Sequence, residues 1–273
     1  MKLATYAFDD GVRVGIVDDG QIIDSGLIDP LMELIDPVGL ARLAAAAATG
    51  QPLPFVREQL LAPIPHPPIF LGVGLNYRDH AREVGRDLGA SPAVFSKPRN
   101  SVAAPFADVS SHFASFDYEG ELGVVIGRRC HRVTAAAARD YVAGYVVVND
   151  FSVRELLRPD TLVLGKGGFG HAPFGPWLTT ADEIANPHSL AIQTSVSGEV
   201  RQASTTAEMH RTVWELIAWL SQALVLEPGT IIATGSPAGS GAGFDPPRWL
   251  VPGDVVRVEI AGLGAIENRV VAA

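Results

Sequence analysis

One cysteine, Cys130, stands in a chain of 273 residues. It has no partner for an internal disulfide, and a thiolate zinc site is excluded with it. The thiol reads as a small hydrophobe near a strand end. Positive charge is also scarce: 21 Lys and Arg against 30 Asp and Glu leave a net charge of −9. No basic stripe with interleaved aromatics occurs, so a nucleic-acid partner is not expected. Long apolar runs are missing as well. The best stretch, residues 40–48, is too short to span a bilayer and contains Arg42. No apolar segment follows a basic start at the N-terminus, and the expectation is a cytoplasmic protein with no membrane partner. Gly-x-Ser-x-Gly is absent, which removes a serine-hydrolase elbow. The glycine-rich stretches 165–168 and 235–243 lack the residues of a phosphate loop and read as tight turns lining a cavity.

The remainder has the composition of a folded globule, 47% apolar and 19% charged. Its length holds one large domain, or one domain with a small appendage. Short alternating strands with Asp-Gly turns, at Asp9-Asp10-Gly11 and Asp18-Asp19-Gly20, mark the first part as β-rich. An alanine-rich helix is predicted over 37–49, and a proline cluster at 63–68 reads as an extended connection. The boundary falls there: a small N-terminal β-rich domain over 1–65 and a main domain over 66–273. In the main domain, strands are predicted at 69–74, 118–127, 141–149, 190–200, 230–234 and 254–260. Helices are predicted at 77–84, capped by Asn76, at 134–140 and at 206–224. Strands dominate without regular βαβ alternation, which points to an α+β fold around a mixed, rolled sheet.

Chemistry concentrates in three places. Glu119 and Glu121 lie one residue apart before the apolar run 122–126. On a strand both face one side, roughly 6–7 Å apart at Cα. Two anions at a core edge repel and resist desolvation unless a cation sits between them. Asp150, at the exit of the apolar strand 145–149, is the natural third ligand. Three carboxylates favour Mg²⁺, Mn²⁺ or Ca²⁺ over zinc; two solvated glutamates and an unrelated turn aspartate fit the same spacing. His80 and Glu83 are neighbours on a helix, where a carboxylate can orient an imidazole for proton transfer. On these residues alone an ordinary surface ion pair is the simpler reading. Lys97, Arg154 and Lys166 would suit an anionic substrate or a developing enolate, although each alone reads as a solvated side chain.

The run 74–83 (Gly-Leu-Asn-Tyr-Arg-Asp-His-Ala-Arg-Glu), Phe95-Ser96-Lys97-Pro98, Tyr118-Glu119-Gly120-Glu121-Leu122 and Asn149-Asp150-Phe151-Ser152-Val153-Arg154 occur in that order. Gly198-Glu199-Val200-Arg201-Gln202, Thr234-Gly235-Ser236-Pro237 and Pro252-Gly253-Asp254 follow. Together, over about residues 69–270, these segments resemble the fumarylacetoacetate hydrolase family. The resemblance implies a mixed β-roll and a homodimer. Glu119, Glu121 and Asp150 fall on that family's ligands for Mg²⁺ or Mn²⁺, with Ca²⁺ able to substitute in vitro. His80 and Glu83 fall on its water-activating dyad and Lys166 on its enolate-stabilising lysine; Tyr77, Lys97, Arg154 and Ser236 are placed at the substrate.

The implied function is a divalent-metal-dependent hydrolase in aromatic catabolism. It would cleave a carbon–carbon bond of an acylpyruvate-like or other 1,3-diketo acid through a metal-bound enolate. A 2-keto acid decarboxylase of the oxaloacetate type or a hydroxymuconate-type isomerase would use the same residues. Three departures touch the substrate wall. Leu157 replaces a common glutamine, the run 166–169 (Lys-Gly-Gly-Phe) lacks its usual aspartate, and Ser236 replaces threonine. These changes suggest an unfamiliar substrate, or a catalytically silent protein that binds a metal and an organic acid.

Overall fold

The computed structural model describes residues 1–9, 11–158 and 160–273; Asp10, of the first Asp-Gly turn, lies outside the described residues. Ten strands of an 11-stranded sheet run side by side. Their order is Pro52–Pro54, Gln21–Leu27, Gly11–Asp18, Lys2–Phe8, Ala172–Thr180, Val142–Asn149, Gly120–Ile126, Ile231–Ala233, Phe70–Gly74 and Ala93–Ser96. Val102–Ala103 adds to Ala172–Thr180 in parallel, and Ile231–Ala233 is parallel to Phe70–Gly74. The other pairings are antiparallel, so the sheet is mixed. A second sheet orders Glu199–Thr205, Ala191–Val196, Val255–Ile260, Gly264–Val271 and Val109–Ser110. With few and short helices, the fold is the expected α+β class.

The central strands are apolar at nearly every position because both faces of the sheet are covered. Leu122, Val124, Tyr145 and Val147 point into a core shared with Leu216, Ile217 and Val258. Val125, Val146 and Val148, the alternate residues, point into a second core with Leu3, Phe174 and Leu178. Each such side chain contributes about 1.5–3 kcal/mol by leaving water. Cys130 is buried among the first group. The N-terminal strands extend the same sheet, since Lys2–Phe8 pairs with Ala172–Thr180 in the register Leu3↔Leu178.

Local chemistry explains the turns and three departures from expectation. Asp19 and Gly20, with φ of 41° and 73°, close a two-residue hairpin whose left-handed turn matches strand twist. Ser197 and Gly198 (φ 50° and 86°) close another. The strand predicted over 190–200 is therefore the hairpin Ala191–Val196 and Glu199–Thr205, because the alternating pattern runs through the turn and conceals it. The helix predicted over 134–140 is only a 3-10 turn, Ala138–Tyr141. Its alanines form too short a run to nucleate a helix, and the preceding Arg132 and Val133 are tied by their N–H groups to Ser221. The helix predicted over 206–224 spans Val213–Ser221, where Thr212 and Glu215 form a reciprocal capping box. Upstream, Thr206–Glu208 is a separate 3-10 turn, and beyond it Met209 bridges to Tyr77 and His210 N donates to Asn76 O, which breaks the helix there.

Asn76 does not cap the Arg78–Glu83 helix; Tyr77 occupies that position without a side-chain bond. The Asn76 amide instead donates to the carbonyls of Arg211 and Thr234 and accepts from Arg211 N. Tying two distant segments satisfies three buried polar groups, where a cap would satisfy one.

Sheet register collects the chemistry at one end. Gly120 pairs with Asn149, Gly123 with Ala233, Ala233 with Gly72 and Gly74 with Ala93. Glu119, Asp150, the 234–236 segment and the 75–77 segment therefore all emerge from the same edge.

Candidate active site

Glu119 and Asp150 stand just beyond the last rung of the Gly120–Asn149 ladder, where Asp150 N donates to Glu119 O at 2.8 Å. Glu121 reaches the same point from inside the strand, and Gly235 N fixes its carboxylate at 2.8 Å. One carboxylate oxygen from each of Glu119, Glu121 and Asp150 lies within 4.8 Å of the others, and all three residues are buried.

Two lysines offset this charge. Lys166, on the last turn of Leu162–Lys166, places Nζ 2.6 Å from Glu119 Oε2 and 2.7 Å from Asp150 Oδ2. Lys97 Nζ donates to the other Asp150 oxygen and to the carbonyl of Lys166. Arg154 Nη2 lies 2.7 Å from Glu119 Oε1, and its Nε lies 2.7 Å from Asp117 Oδ2. Burial alone would raise the Glu119 carboxyl, but Lys166 and Arg154 hold it at about 2. Burial opposes charge on Lys166 too, yet Asp150 and Glu119 outweigh it and raise the ammonium. Lys97 goes the other way, because burial lowers it more than Asp150 restores.

Glu121 is the member left short of positive charge. Burial, with Asp150 and Glu119 beside it, pushes its carboxyl well above the usual carboxylate range. A donor set of three buried hard oxygens, one of them on a carboxyl that burial and its anionic neighbours push up, fits a divalent ion of the Mg²⁺, Mn²⁺ or Ca²⁺ kind. The residues present suit that group.

His80 and Glu83 lie on one face of Arg78–Glu83, with His80 Nδ1 2.9 Å from Glu83 Oε2. Gly239 N donates to the other Glu83 oxygen at 2.8 Å. Gly243 lets the carboxylate approach, since a Cβ there would stand 2.3 Å from its carbon. Glu83 thus accepts the Nδ1 proton and leaves Nε2 as the acceptor nitrogen.

A cavity of about 470 Å³ unites the groups: His80, Glu119, Arg154, Lys166 and Ser236 line it, and Leu157 forms part of its apolar wall. Leu157 packs over Gly165, where any Cβ would lie 2.4 Å from its methyl. A larger hollow of about 750 Å³ beside Trp177 and Ile23 is lined by none of the predicted site residues. Tyr77 and Lys97, expected at the substrate, are buried beneath the cavity rather than on its wall. Tyr77 belongs to the hydrophobic core, and the Lys97 ammonium is taken up by Asp150 and a carbonyl. The run 166–169 has a steric reason: a Cβ on Gly167 would stand 2.5 Å from Pro98 and one on Gly168 2.2 Å from His171.

Two supporting residues escaped the sequence reading. Asp117, fully buried, receives Arg154 Nε and the backbone N–H groups of Gly241 and Ala242, joining the strand to the cavity rim. Its signal was present, because Asp117, Glu119 and Glu121 alternate. Gln202, also fully buried, bonds Gly120 N and Ser236 Oγ; it closes the 198–202 run, which had been given no role.

Comparison with known proteins follows the same lines. Residues 70–271 match the fumarylacetoacetate hydrolase C-terminal family model. The structure is similar to fumarylacetoacetate hydrolase from Exiguobacterium antarcticum, at 32% identity and TM-score 0.88 over 100% of both chains. Maleylpyruvate hydrolase from Sphingobium sp. SYK-6, solved with manganese and pyruvate, is 30% identical with TM-score 0.84, again over 100% of both chains. A 5-carboxymethyl-2-hydroxymuconate delta-isomerase from Mycobacterium smegmatis is 30% identical with TM-score 0.80, over 100% of this chain and 99% of that one.

Proposed function

The chain belongs to the fumarylacetoacetate hydrolase family, and from that premise we propose that it is a divalent-metal-dependent hydrolase cleaving a carbon–carbon bond in an acylpyruvate-like or other 1,3-diketo acid. The observation that carries this reading is His80, paired with Glu83, on the wall of the cavity that Glu119 also lines.

Glu119, Glu121 and Asp150 would hold Mg²⁺ or Mn²⁺. When bound, the ion supplies Lewis-acid polarisation of the substrate's carbonyl oxygens. Glu83 keeps the imidazole of His80 in the tautomer with Nε2 free, so Nε2 takes a proton from a water whose oxygen adds to the distal carbonyl carbon, and returns it to the carbon released when the C–C bond breaks. Glu83 also stabilises the imidazolium formed in between. Lys166, held charged by Glu119 and Asp150, presents positive charge to the enolate oxygen of the leaving fragment. Arg154 and Ser236 contribute donors from the cavity wall. Lys97 orients Asp150, and Tyr77 packs in the hydrophobic core.

A hydroxymuconate-type isomerase is the second reading. The apolar wall at Leu157 favours it, since water is less well held there, and the Mycobacterium smegmatis neighbour bears such a name. A homodimer in the cytoplasm, with a substrate derived from aromatic rings, accompanies either reading.

The deciding experiment incubates the Mn²⁺- or Mg²⁺-loaded protein with acetylpyruvate, following loss of diketone absorbance and release of pyruvate and acetate, with a chelator control. Metal-dependent release of both fragments supports the hydrolase. Loss of absorbance with neither fragment formed supports the isomerase. Turnover of oxaloacetate alone, above the rate of the free ion, would replace both with a decarboxylase.

A further inference from the structure

Gln202 is fully buried, and its amide has one orientation only. Gly120 N, which can only donate, lies 3.0 Å from one end, so that end is Oε1. Pro237 O, which can only accept, lies 2.8 Å from the other end, so that end is Nε2. The second Nε2 hydrogen points to Ser236 Oγ at 2.8 Å. The Ser236 oxygen is therefore used as an acceptor. Among the described residues its own proton faces only the Pro237 carbonyl at 3.5 Å, a distance at the edge of hydrogen bonding to an oxygen already engaged by Gln202. Ser236 lines the cavity.

We infer that Gln202 is a positioning residue that turns the Ser236 hydroxyl into an obligate donor facing the cavity. The donor selects a ligand oxygen that can only accept, such as the oxo or carboxylate oxygen of a 2-oxo acid. This rests on the reading above that the cavity takes a 2-oxo acid. The same amide holds Gly120, the residue between Glu119 and Glu121, so one buried side chain links the acidic cluster to the ligand-facing hydroxyl. Gly120 leaves space for it: an added Cβ would lie 3.3 Å from Gln202 Oε1 and 2.3 Å from Thr194 Oγ1.

The test titrates pyruvate into the Mn²⁺-saturated protein by calorimetry at pH 8, with Mn²⁺ alone titrated separately. Gln202→Glu keeps an oxygen for Gly120 N but sets a second oxygen against Ser236, whose proton then turns to the carboxylate and leaves the cavity. The expected result is a pyruvate Kd about tenfold weaker, the loss of one charge-assisted hydrogen bond, with Mn²⁺ affinity unchanged. Ser236→Ala should weaken pyruvate to the same degree, and adding Gln202→Glu to it should change nothing more. Gln202→Met, uncharged and of similar length, frees the Pro237 carbonyl for the Ser236 proton. It must weaken pyruvate likewise and be masked by Ser236→Ala, which keeps the idea testable if the buried glutamate does not fold. Pyruvate binding that these variants leave intact, or losses that add in the double variant, overturn the inference alone. Failure of the wild-type protein to bind pyruvate removes the 2-oxo-acid reading and the inference together.

Discussion

His80 Nδ1 and Glu83 Oε2 stand 2.9 Å apart, and the second oxygen of that glutamate is held by a backbone N–H from the loop across the cavity. The imidazole is therefore oriented before any ligand arrives, with its far nitrogen free to accept a proton.

Replacing His80 with alanine should lower kcat by roughly 10²–10⁴-fold, the range for a positioned general base. Mn²⁺ affinity should be unaffected, since His80 is outside the three-carboxylate cluster. Steady-state turnover and a separate metal titration check this. A variant that still turns over acetylpyruvate at the wild-type rate would end the water-activation role.

The acidic cluster links stability to pH in two opposite ways. Burial, Asp150 and Glu119 raise the Glu121 carboxyl in the folded state, so its contribution is present at low pH and is lost as pH rises through that elevated value. Glu119 is held down at about 2, so its contribution is present above 4.5 and is lost as pH falls from 4.5 toward 2. Thermal melts of the metal-free protein should show both losses, and saturating Mn²⁺ should reverse the high-pH one. Metal affinity should accordingly weaken as pH drops through the Glu121 transition, which calorimetry at several pH values would detect.

Lys97→Met should destabilise the metal-free protein by about 3–5 kcal/mol, because it strips a fully buried partner from Asp150. Chemical denaturation measures this. A divalent ion should recover part of the loss by restoring positive charge beside the same carboxylate. A variant as stable as the wild type would show that Lys166 alone suffices for Asp150.

Gly168→Ala should impair activity more than its size suggests. The new methyl would stand 2.2 Å from His171 Nδ1, on a ring packed against Phe116 and bonded to Ser110 O through Nε2. The segment carrying Lys166 must then shift. A rise in KM or fall in kcat of about tenfold is expected, as a small misplacement at a site can cost more than that. Alanine at the solvent-facing Gly170 is a poor control because its φ is 71°, whereas Phe169→Ala, at a side chain 83% exposed, should be silent.

The chain shows its acidic cluster plainly because hard ligands at the ends of apolar strands are conspicuous against a buried background. Register then does what spacing cannot, bringing Asp150 opposite Glu119. Tyr77 and Lys97 illustrate the limit: each lies in a run that carries chemistry, yet depth beneath the cavity is decided by neighbours on other strands. Gln202 acts on partners 82 and 34 positions away, so its place in the 198–202 run marks the segment but not what its amide holds. The Ser197-Gly198 turn was hidden for a different reason. Alternation of side chains persists through a two-residue hairpin, so the period that reveals strands also masks their reversal.

Because the edge where Gly74, Gly120, Asn149 and Ala233 meet is assembled from segments spread over more than half of the chain, no short fragment of this protein can carry its chemistry. The acids face one another as soon as the Gly120–Ile126 and Val142–Asn149 hairpin closes, whereas Lys97 comes from 53 positions before Asp150. Such long-range closures come slowly in folding. Turnover would therefore report on these strands together rather than on any one of them.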